Sequence, residues 1–369
     1  MGLQVLITNI KLWPLSGTVL YVRDLALELQ RQGHTPIVFS STIGEVVAEL
    51  RDSGITVTGN LGRIRTEPDI IHGHQHASTL VAIRRWPAVP AIFVCHSHES
   101  RDDMAPIHPS IRRYFGVSRV CVQRLVHDGV PVGRAELLPN FVDTVRFSPR
   151  APLPERPGRA LVFSNYADAK SHLPAVAEAC REAGLELDVI GAGVGRVATK
   201  PELLLGQYDI VFAKAKAAME AMAVGTAVIL CDYSGVGPMV TSAEFDALRP
   251  VNFGFEALKD PLQPEPLLRE IARYDAADAA RVRDLLRSSA GLDVAVRGLV
   301  VIYREAIAEI WSTPSRFGAR QWSIRERLFL RLYLRWGSLS EKRRTRLKTL
   351  PGMGVVLRGL RRLLGEAHR

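Results

Sequence analysis

Two lysines and a glutamate lie where a strand meets a helix, and together they could bind an anionic ligand. Lys214 and Lys216 follow a short apolar run, residues 209–212, which predicts a buried strand. Residues 215–223 are rich in alanine, methionine and glutamate, which favours a helix that Gly225 ends. Two ammonium groups beside a helix N-terminus predict a site for an anion such as a diphosphate.

Glu220, one turn further into that helix, could accept hydrogen bonds from sugar hydroxyls. The next apolar run, residues 227–231, completes a strand–helix–strand unit of a parallel sheet. Ligands of such sheets bind at the carboxyl ends of the strands, which is where Lys214 and Lys216 lie. The alternative is that both lysines are simply solvated and that Glu220 pairs with a neighbouring residue.

The elements that must position these residues alternate between strand and helix along most of the 369-residue chain. This alternation predicts an α/β protein with doubly wound parallel sheets in two Rossmann-like halves. The predicted segments are an N-terminal domain at residues 1–149, a proline-rich linker at 150–159, a C-terminal domain at 160–290, a helix crossing back to the N-terminal domain at 291–314, and a basic tail at 315–369. Two such domains imply a ligand-binding cleft between them.

The composition is that of a globular protein, with 47% hydrophobic and 23% charged residues. No run reaches the roughly 18 apolar residues of a membrane-spanning helix. Residues 3–10 lack a basic preface and a cleavage site, so they predict a first strand and not a signal peptide. Four widely spaced cysteines predict reduced thiols in a cytoplasmic protein: Cys95, Cys121, Cys180 and Cys231.

The net charge of +10 is concentrated in the tail. Residues 316–369 hold 15 Lys and Arg against 3 Asp and Glu, which leaves the remainder close to neutral. On a helical wheel of residues 322–336, Arg327, Arg331 and Arg335 occupy one narrow face, and aromatic and leucine residues the broad opposite face, into which Arg325 intrudes. This pattern suits a helix on an anionic membrane surface. Packing on the body, self-association or polyanion binding are alternatives, although no nucleic-acid motif is present and we expect no nucleic-acid partner.

Several stretches together resemble the family 4 glycosyltransferases, which have the GT-B fold of two facing Rossmann-like domains. The most specific are PNFVDTVRF at residues 139–147 and EAMAVGTAV at residues 220–228. The resemblance implies transfer of a sugar from a nucleotide-sugar donor to a glycan or lipid-linked acceptor. It further implies retention at the anomeric carbon, with no metal or cofactor, by a cytoplasmic or peripheral membrane enzyme.

The resemblance also implies roles for residues of the N-terminal half. Ser16, Gly17 and Thr18 match the family's glycine loop, whose backbone lies near the donor phosphate and the acceptor. His96 matches a histidine near the transferred sugar. We therefore predict Gly17 and His96 as catalytic residues and Thr18 as a donor-binding residue. The alternatives are an ordinary strand-to-helix turn with Thr18 as N-cap, and a hydrogen-bonded surface histidine.

Five histidines cluster at the ends of two predicted strands: His72, His74, His76, His96 and His98. Alternate spacing could present two metal ligands on one face of a strand. No carboxylate or cysteine joins them at tight spacing, so we predict no metal site.

The C-terminal half departs from the family pattern. Lys170 matches the family lysine that holds the donor diphosphate and neutralises the leaving group, but Asn165 stands where the family has an arginine. Glu220 matches the second of two family glutamates, which bonds the ribose, and Phe212 stands in place of the first. We infer that Lys214 and Lys216 replace the missing arginine at the diphosphate, which is not a family match.

Three functions follow from these observations. The first is a retaining glycosyltransferase, with Lys170 as a catalytic and donor-binding residue and Lys214, Lys216 and Glu220 as further donor contacts. The second is a non-catalytic, nucleotide-sugar-binding or scaffold relative. The third is a sugar-nucleotide epimerase or hydrolase, which would convert the donor with no acceptor present.

Overall fold

The computed structural model describes residues 2–13, 16–44 and 46–312. The basic tail predicted at residues 315–369 lies outside this part of the chain, so its amphipathic helix stays a prediction. Within the described part, no helix is both long enough and apolar enough to cross a membrane.

The chain divides into two compact units. The first consists of residues 2–115, 124–136 and 301–312, and the second of residues 116–123 and 137–300. The second unit therefore includes residues 137–149, which precede the proline-rich linker.

A seven-stranded sheet forms the centre of the N-terminal half. Its strands are β1 (Gln4–Lys11), β2 (Thr35–Thr42), β3 (Thr56–Thr58), β4 (Ile70–His74), β5 (Ala91–Cys95), β6 (Ile111–Gly116) and β7 (Ala135–Leu137). The accompanying helices are α1 (Gly17–Arg31), α2 (Val46–Asp52), α3 (His76–Arg85) and α4 (Arg119–His127). The sheet order is β3-β2-β1-β4-β5-β6-β7, and the pairings from β3 to β5 are parallel. The order reverses between β1 and β4, which is the switch point where such sheets bind ligands.

A five-stranded sheet forms the centre of the second unit. Its strands are β8 (Arg159–Phe163), β9 (Glu186–Ile190), β10 (Ile210–Ala213), β11 (Ala227–Asp232) and β12 (Gly235–Met239). The helices are α5 (Leu173–Glu182), α6 (Ala215–Val224), α7 (Phe245–Leu248), α8 (Pro264–Ile271) and α9 (Ala276–Ser289), and α10 (Leu292–Ser312) contributes residues to both units. The order is β12-β11-β10-β8-β9, with only β12 antiparallel to its neighbour. The switch point lies between β8 and β10.

The central strands are apolar because helices cover both faces of each sheet. Every residue of β5 and of β11 is buried, which is typical of parallel strands in α/β proteins. In the second unit, one core contains Met219 and Met222 of α6, and the other contains Phe212 of β10. The predicted α/β architecture with two Rossmann-like sheets is confirmed.

Strand β12 is an element that the sequence pattern missed, as is the short strand β7. The β12 sequence, GVGPM, holds two glycines and a proline and no β-branched run, so its local preference is against a strand. A Cβ on Gly235 would lie 2.8 Å from the carbonyl oxygen of Asp260, and one on Gly237 would lie 2.7 Å from that of Ala257. The strand therefore depends on close backbone packing against a distant segment, which no local pattern shows.

The stretch at residues 139–147 is held firmly within the second unit. Arg249 donates a hydrogen bond to the carbonyl oxygen of Asn140 at 2.6 Å. Arg287 donates to the carbonyl oxygens of Thr144 and Phe147, both at 2.8 Å. These arginine contacts give the stretch a structural role.

Candidate functional site

The turn between β1 and α1 lies at the switch point of the first sheet. Ser16 is the N-cap of α1, and its hydroxyl accepts a hydrogen bond from Val19 N at 3.5 Å. The alternative with Thr18 as N-cap is therefore wrong. A Cβ on Gly17 would meet no atom within 4 Å among the described residues. Their packing leaves this position open, and its role in ligand binding stays a prediction.

Three of the five predicted histidines come together at the ends of β4 and β5. His72 and His74 lie on the same face of β4, with ring centroids 4.5 Å apart. His96 follows β5, the neighbouring strand, and its Nε2 lies 2.9 Å from Nδ1 of His74. One of these two nitrogens must carry the shared proton. The histidine cluster is defined hereafter as His72, His74 and His96.

The other two histidines lie apart from this cluster. His76 Nδ1 lies 3.2 Å from the carbonyl oxygen of Met104, and His98 Nε2 lies 3.7 Å from a carboxylate oxygen of Glu99. Across residues 2–13, 16–44 and 46–312, no group of three or more His, Cys, Asp or Glu side chains is arranged to hold a metal ion.

Two tyrosines enclose the histidine cluster. The Tyr21 ring packs edge-on against His96, with centroids 4.8 Å apart, and Tyr21 lies one turn after Thr18 on α1. The hydroxyl of Tyr303, on α10, lies 2.5 Å from Nδ1 of His72. Through Tyr21, the first turn of α1 and His96 become parts of one packed site. Sequence analysis missed Tyr303 because it is 231 residues from His72.

Burial keeps the histidine cluster uncharged. It lowers the pKa of His72 and of His96 to about 3, and that of His74 well below its usual value. The Nε2 atoms of His72 and His74 are buried and have no hydrogen-bond partner among the residues described. Neutral imidazoles suit neutral ligand groups such as sugar hydroxyls, because they carry no charge that would attract an ion.

At the second sheet, an ion pair occupies the carboxyl ends of three adjacent strands. Lys214 alone connects β10 to α6, and its Nζ lies 2.5 Å from Oδ2 of Asp232, which is fully buried at the end of β11. Oδ1 of the same carboxylate lies 3.4 Å from Ser164 Oγ, after β8, and 3.8 Å from Nδ1 of the buried His172. Lys214 is thus held by a buried anion and is not an isolated solvated cation.

Two exposed tyrosine rings flank the ammonium group of Lys214. Its Nζ lies 5.6 Å from the ring centroid of Tyr166 and 4.9 Å from that of Tyr233. These distances are within the range of cation–π attraction. The two ring centroids are themselves 5.4 Å apart.

Lys216 and Glu220 pair with each other along α6. Nζ of Lys216 lies 3.7 Å from Oε1 of Glu220, and both side chains are buried. Lys216 also donates a hydrogen bond to the carbonyl oxygen of Phe141 at 3.5 Å. The structure therefore has the local pairing of Glu220 that sequence analysis gave as an alternative, and its contact with a ribose stays a prediction.

Lys170 and Asn165 lie on the loop between β8 and α5. Lys170 is exposed and makes no side-chain ion pair within the described chain. Asn165 accepts a hydrogen bond from Ala192 N through its Oδ1 at 3.1 Å, and from Gly193 N through its carbonyl oxygen at 3.0 Å. Asn165 therefore positions the glycine-rich loop, residues 191–195.

That glycine-rich loop packs backbone to backbone against the β8–α5 loop. A Cβ on Gly191 would lie 1.8 Å from the carbonyl oxygen of Ser164, and one on Gly193 would lie 2.3 Å from that of Ala167. Neither contact tolerates a side chain. Phe212, at the position of the first family glutamate, is wholly buried in the core, so no side chain from that position reaches the site.

Comparisons with known proteins bear on both units. Residues 15–146 match the family model described as Glycosyltransferase Family 4. A glycosyltransferase from Rickettsia africae ESF-5 superposes with a TM-score of 0.58 at 16% identity, covering 83% of this chain and 99% of that one. The fold is GT-B. The resemblance to the family 4 glycosyltransferases is confirmed.

A second GT-B structure is that of HepE from Anabaena in complex with UDP and glucose. It superposes with a TM-score of 0.59 at 14% identity, covering 82% of this chain and 100% of that one. No curated protein sequence matches the chain significantly. At these identities, the structural likeness establishes the GT-B fold alone.

The carboxyl edge of the second sheet contains four residues that sequence analysis missed: Ser164, Tyr166, His172 and Asp232. A usable signal existed for Asp232, because it directly follows a predicted strand, as Lys214 does. The adjacency of β10 and β11 then brings the two together. No such signal existed for His172, whose burial depends on the packing of α5.

Proposed function

We propose that this protein is a glycosyltransferase that moves a sugar from a nucleotide-sugar donor to a hydroxyl of a glycan or lipid-linked acceptor. The observation that carries the proposal is the match of residues 15–146 to a glycosyltransferase family in a chain with the GT-B fold. HepE of Anabaena has a similar fold and has been solved with UDP-glucose, at a TM-score of 0.56 and 15% identity. This supports a nucleotide-sugar as the donor.

The donor diphosphate is assigned to the carboxyl edge of the second sheet. Lys170, Lys214 and Lys216 supply positive charge there, as a leaving diphosphate requires. Lys214 and Lys216 are already paired with carboxylates, at 2.5 and 3.7 Å. Lys170 is therefore expected to contribute most to neutralising the leaving group, and Glu220 is assigned to the ribose.

The acceptor is assigned to the carboxyl edge of the first sheet. Gly17 and Thr18 begin α1 there, and His96 is held by its contact with His74 at 2.9 Å. Burial lowers the pKa of His96 to about 3, so its imidazole is neutral at pH 7 and suited to bind a hydroxyl. We propose retention at the anomeric carbon with electrostatic stabilisation of the leaving group and no metal ion.

Thermal-shift titration with UDP, GDP, ADP and dTDP tests the donor site directly. A nucleotide that binds the folded protein raises the melting temperature by mass action. We expect a shift from one nucleotide in the wild type, a much smaller one in Lys170→Ala, and an unchanged one in Arg156→Ala. Arg156 is an exposed cation in the linker and serves as the matched control. No shift with any nucleotide would overturn the proposal.

A non-catalytic relative is the second candidate. The observation that favours it is the replacement of two family residues by Asn165, which positions a loop, and Phe212, which fills the core. Donor consumption measured with and without acceptors separates the candidates. Transfer only in the presence of an acceptor supports the transferase, binding without consumption supports the non-catalytic relative, and conversion without an acceptor supports an epimerase or hydrolase.

The basic tail is assigned to an anionic membrane surface on the cytoplasmic side. The proposal rests on the sequence pattern of residues 322–336 alone. Co-sedimentation with vesicles of phosphatidylglycerol and phosphatidylcholine tests it. We expect the full chain to bind, a chain ending at residue 314 not to bind, and binding to weaken with salt. Equal binding of both chains would contradict the assignment.

A further inference from the structure

The most exposed aromatic pair at the donor edge belongs to no role assigned so far. Tyr166 follows β8 and is 60% exposed, and Tyr233 follows β11 and is 42% exposed. Their ring centroids lie only 5.4 Å apart although the residues are far apart in sequence. We name this pair the tyrosine platform. Exposed aromatic rings that converge on a polar group are typical of small-molecule sites.

The angle between the two rings limits what can bind there. The ring planes are inclined at 65° in an edge-to-face arrangement. A flat base held between two rings needs parallel planes about 7 Å apart, twice the carbon–carbon contact distance of roughly 3.5 Å. The tyrosine platform is instead an open corner, which suits a puckered ring with C–H groups on one face and hydroxyls around its rim.

Polar groups suited to those hydroxyls lie directly beside the tyrosine platform. The ammonium group of Lys214 is within 5.6 Å of both ring centroids and keeps 23% of its side chain exposed. Asp232 holds it from below at 2.5 Å. An ammonium group has three donors, so Lys214 can bind a hydroxyl or a phosphate oxygen while it stays paired with Asp232.

The positions of Lys214 and Glu220 along α6 indicate which end of the donor, the base or the sugar, reaches the tyrosine platform. Lys214 precedes Glu220 by six residues, which is about 9 Å along a helix axis. The base of a nucleotide-sugar is bonded directly to the ribose, whereas the sugar is separated from it by the diphosphate. With the ribose at Glu220, the group that reaches the N-terminus of α6 is therefore the sugar.

We propose that Tyr166 and Tyr233 form the subsite for the sugar ring of the donor, with Lys214 bonding its hydroxyls or the adjoining phosphate. This inference rests on the proposed function, because it assumes a nucleotide-sugar at the donor edge. It names a hexose with an apolar ring face as the class of sugar. The two tyrosines would also contact the sugar in place of the family's first glutamate, whose position Phe212 occupies here.

Calorimetric titration of the full chain with UDP and with UDP-glucose tests the inference. GDP and GDP-mannose replace them should the nucleotide series identify guanine. In Tyr166→Ala and in Tyr233→Ala we expect affinity for the nucleotide-sugar to fall about tenfold, the upper range for one aromatic contact. Affinity for the bare nucleotide should stay within about twofold. The ring-preserving Tyr166→Phe and Tyr233→Phe should lose far less, and Leu203→Ala, an exposed apolar control, nothing.

The outcomes separate this inference from the proposed function. Equal losses for the nucleotide and the nucleotide-sugar would overturn the inference, because the platform would then bind the nucleotide part. No loss in either alanine variant would also overturn it, while binding by the wild type would leave the proposed function standing. A wild-type chain that binds neither ligand would overturn both.

Discussion

The carboxyl edges of the two sheets differ in the charge of their side chains. In the first sheet, three buried imidazoles pack against two tyrosines, and burial lowers the pKa of His72 and of His96 to about 3. In the second sheet, Lys214 and Lys216 each lie beside a buried carboxylate. Topologically equivalent switch points thus carry a neutral edge in one sheet and an ionic edge in the other.

This difference in charge determines which kind of ligand each edge can bind. A neutral cluster can align a hydroxyl without attracting counter-ions, and this suits an acceptor. An ionic edge suits an anion, because Lys170 makes no ion pair with the residues that the structure describes, and the internal ion pairs keep the remaining charges in place before the ligand arrives. The contrast therefore agrees with the proposed division of donor and acceptor between the sheets.

The largest effect is expected from breaking the ion pair of the donor edge. Lys214→Met leaves the fully buried carboxylate of Asp232 without its cation, which should lower the free energy of unfolding by about 3 kcal/mol. Asp232→Asn should cost about 1 kcal/mol, because Lys214 is partly exposed and can turn to solvent. Urea unfolding at pH 7 measures both, and Arg181→Met, in the exposed pair with Glu178, serves as the control without effect. The reverse order of the two costs would contradict this account.

Acid is expected to destabilise the neutral edge. The pKa of His72 and of His96 is about 3 in the folded chain and near 6.5 in the unfolded chain. Below about pH 6.5, the unfolded chain therefore binds protons that the folded chain does not. The stability that each neutral imidazole contributes is fully present above pH 6.5. It is lost as the pH falls, by about 1.4 kcal/mol per pH unit for each imidazole.

Comparison of the wild type with His72→Phe isolates the contribution of His72 to the pH dependence of stability. Asp103, whose pKa burial raises to about 6, acts in the opposite direction between roughly pH 4 and 6. Its contribution cancels in the difference between the two proteins. We expect the unfolding free energy of His72→Phe to fall less steeply from pH 6 to pH 5, by about 1.4 kcal/mol per pH unit. Parallel curves for the wild type and His72→Phe would refute a buried neutral His72.

A smaller effect is expected from Asn165→Asp, which tests whether an anion binds at the ionic edge. Aspartate keeps the oxygen that accepts from Ala192 N at 3.1 Å but adds a negative charge. We expect an unchanged melting temperature and about tenfold weaker binding of the donor nucleotide, because like charges repel. Calorimetric titration measures the affinity. An unchanged affinity would place the diphosphate away from this loop.

The buried strands and the helix ends could be predicted from sequence because their causes are local. Two-sided burial makes β5 and β11 continuous apolar runs, and Gly225, with φ of 97°, ends α6 as expected. The histidine cluster was partly predictable for the same reason, since His72 and His74 alternate on one strand. Which of the five histidines meet depends on side-chain packing, and that is not a local property.

The ionic partners could not be predicted from the same patterns. Asp232 lies 18 residues after Lys214, and their contact requires β10 and β11 to be neighbours in the sheet. Asn165 was identified as a departure from the family, but its bond to the glycine-rich loop was not. The lysines were predicted at the right edge, whereas their neutralisation by carboxylates depends on tertiary contacts.

At Gly17, a requirement for ligand binding can be distinguished from a requirement for packing. A Cβ there meets nothing within 4 Å in the described chain, and Gly17 is the first residue of α1. Gly17→Ala should therefore change the free energy of unfolding by less than about 0.5 kcal/mol. If a ligand approaches this backbone, as proposed, the added methyl group should lower the transfer rate at least about tenfold.

Gly193→Ala is the matched comparison for Gly17→Ala. Its Cβ would lie 2.3 Å from the carbonyl oxygen of Ala167, so both the melting temperature and donor binding should fall. Melting temperatures and transfer rates of the two variants, measured together, distinguish a glycine needed for packing from one needed for a ligand. A fully active Gly17→Ala protein would remove Gly17 from the site. The neutral edge would then rest on His96 and its neighbours alone.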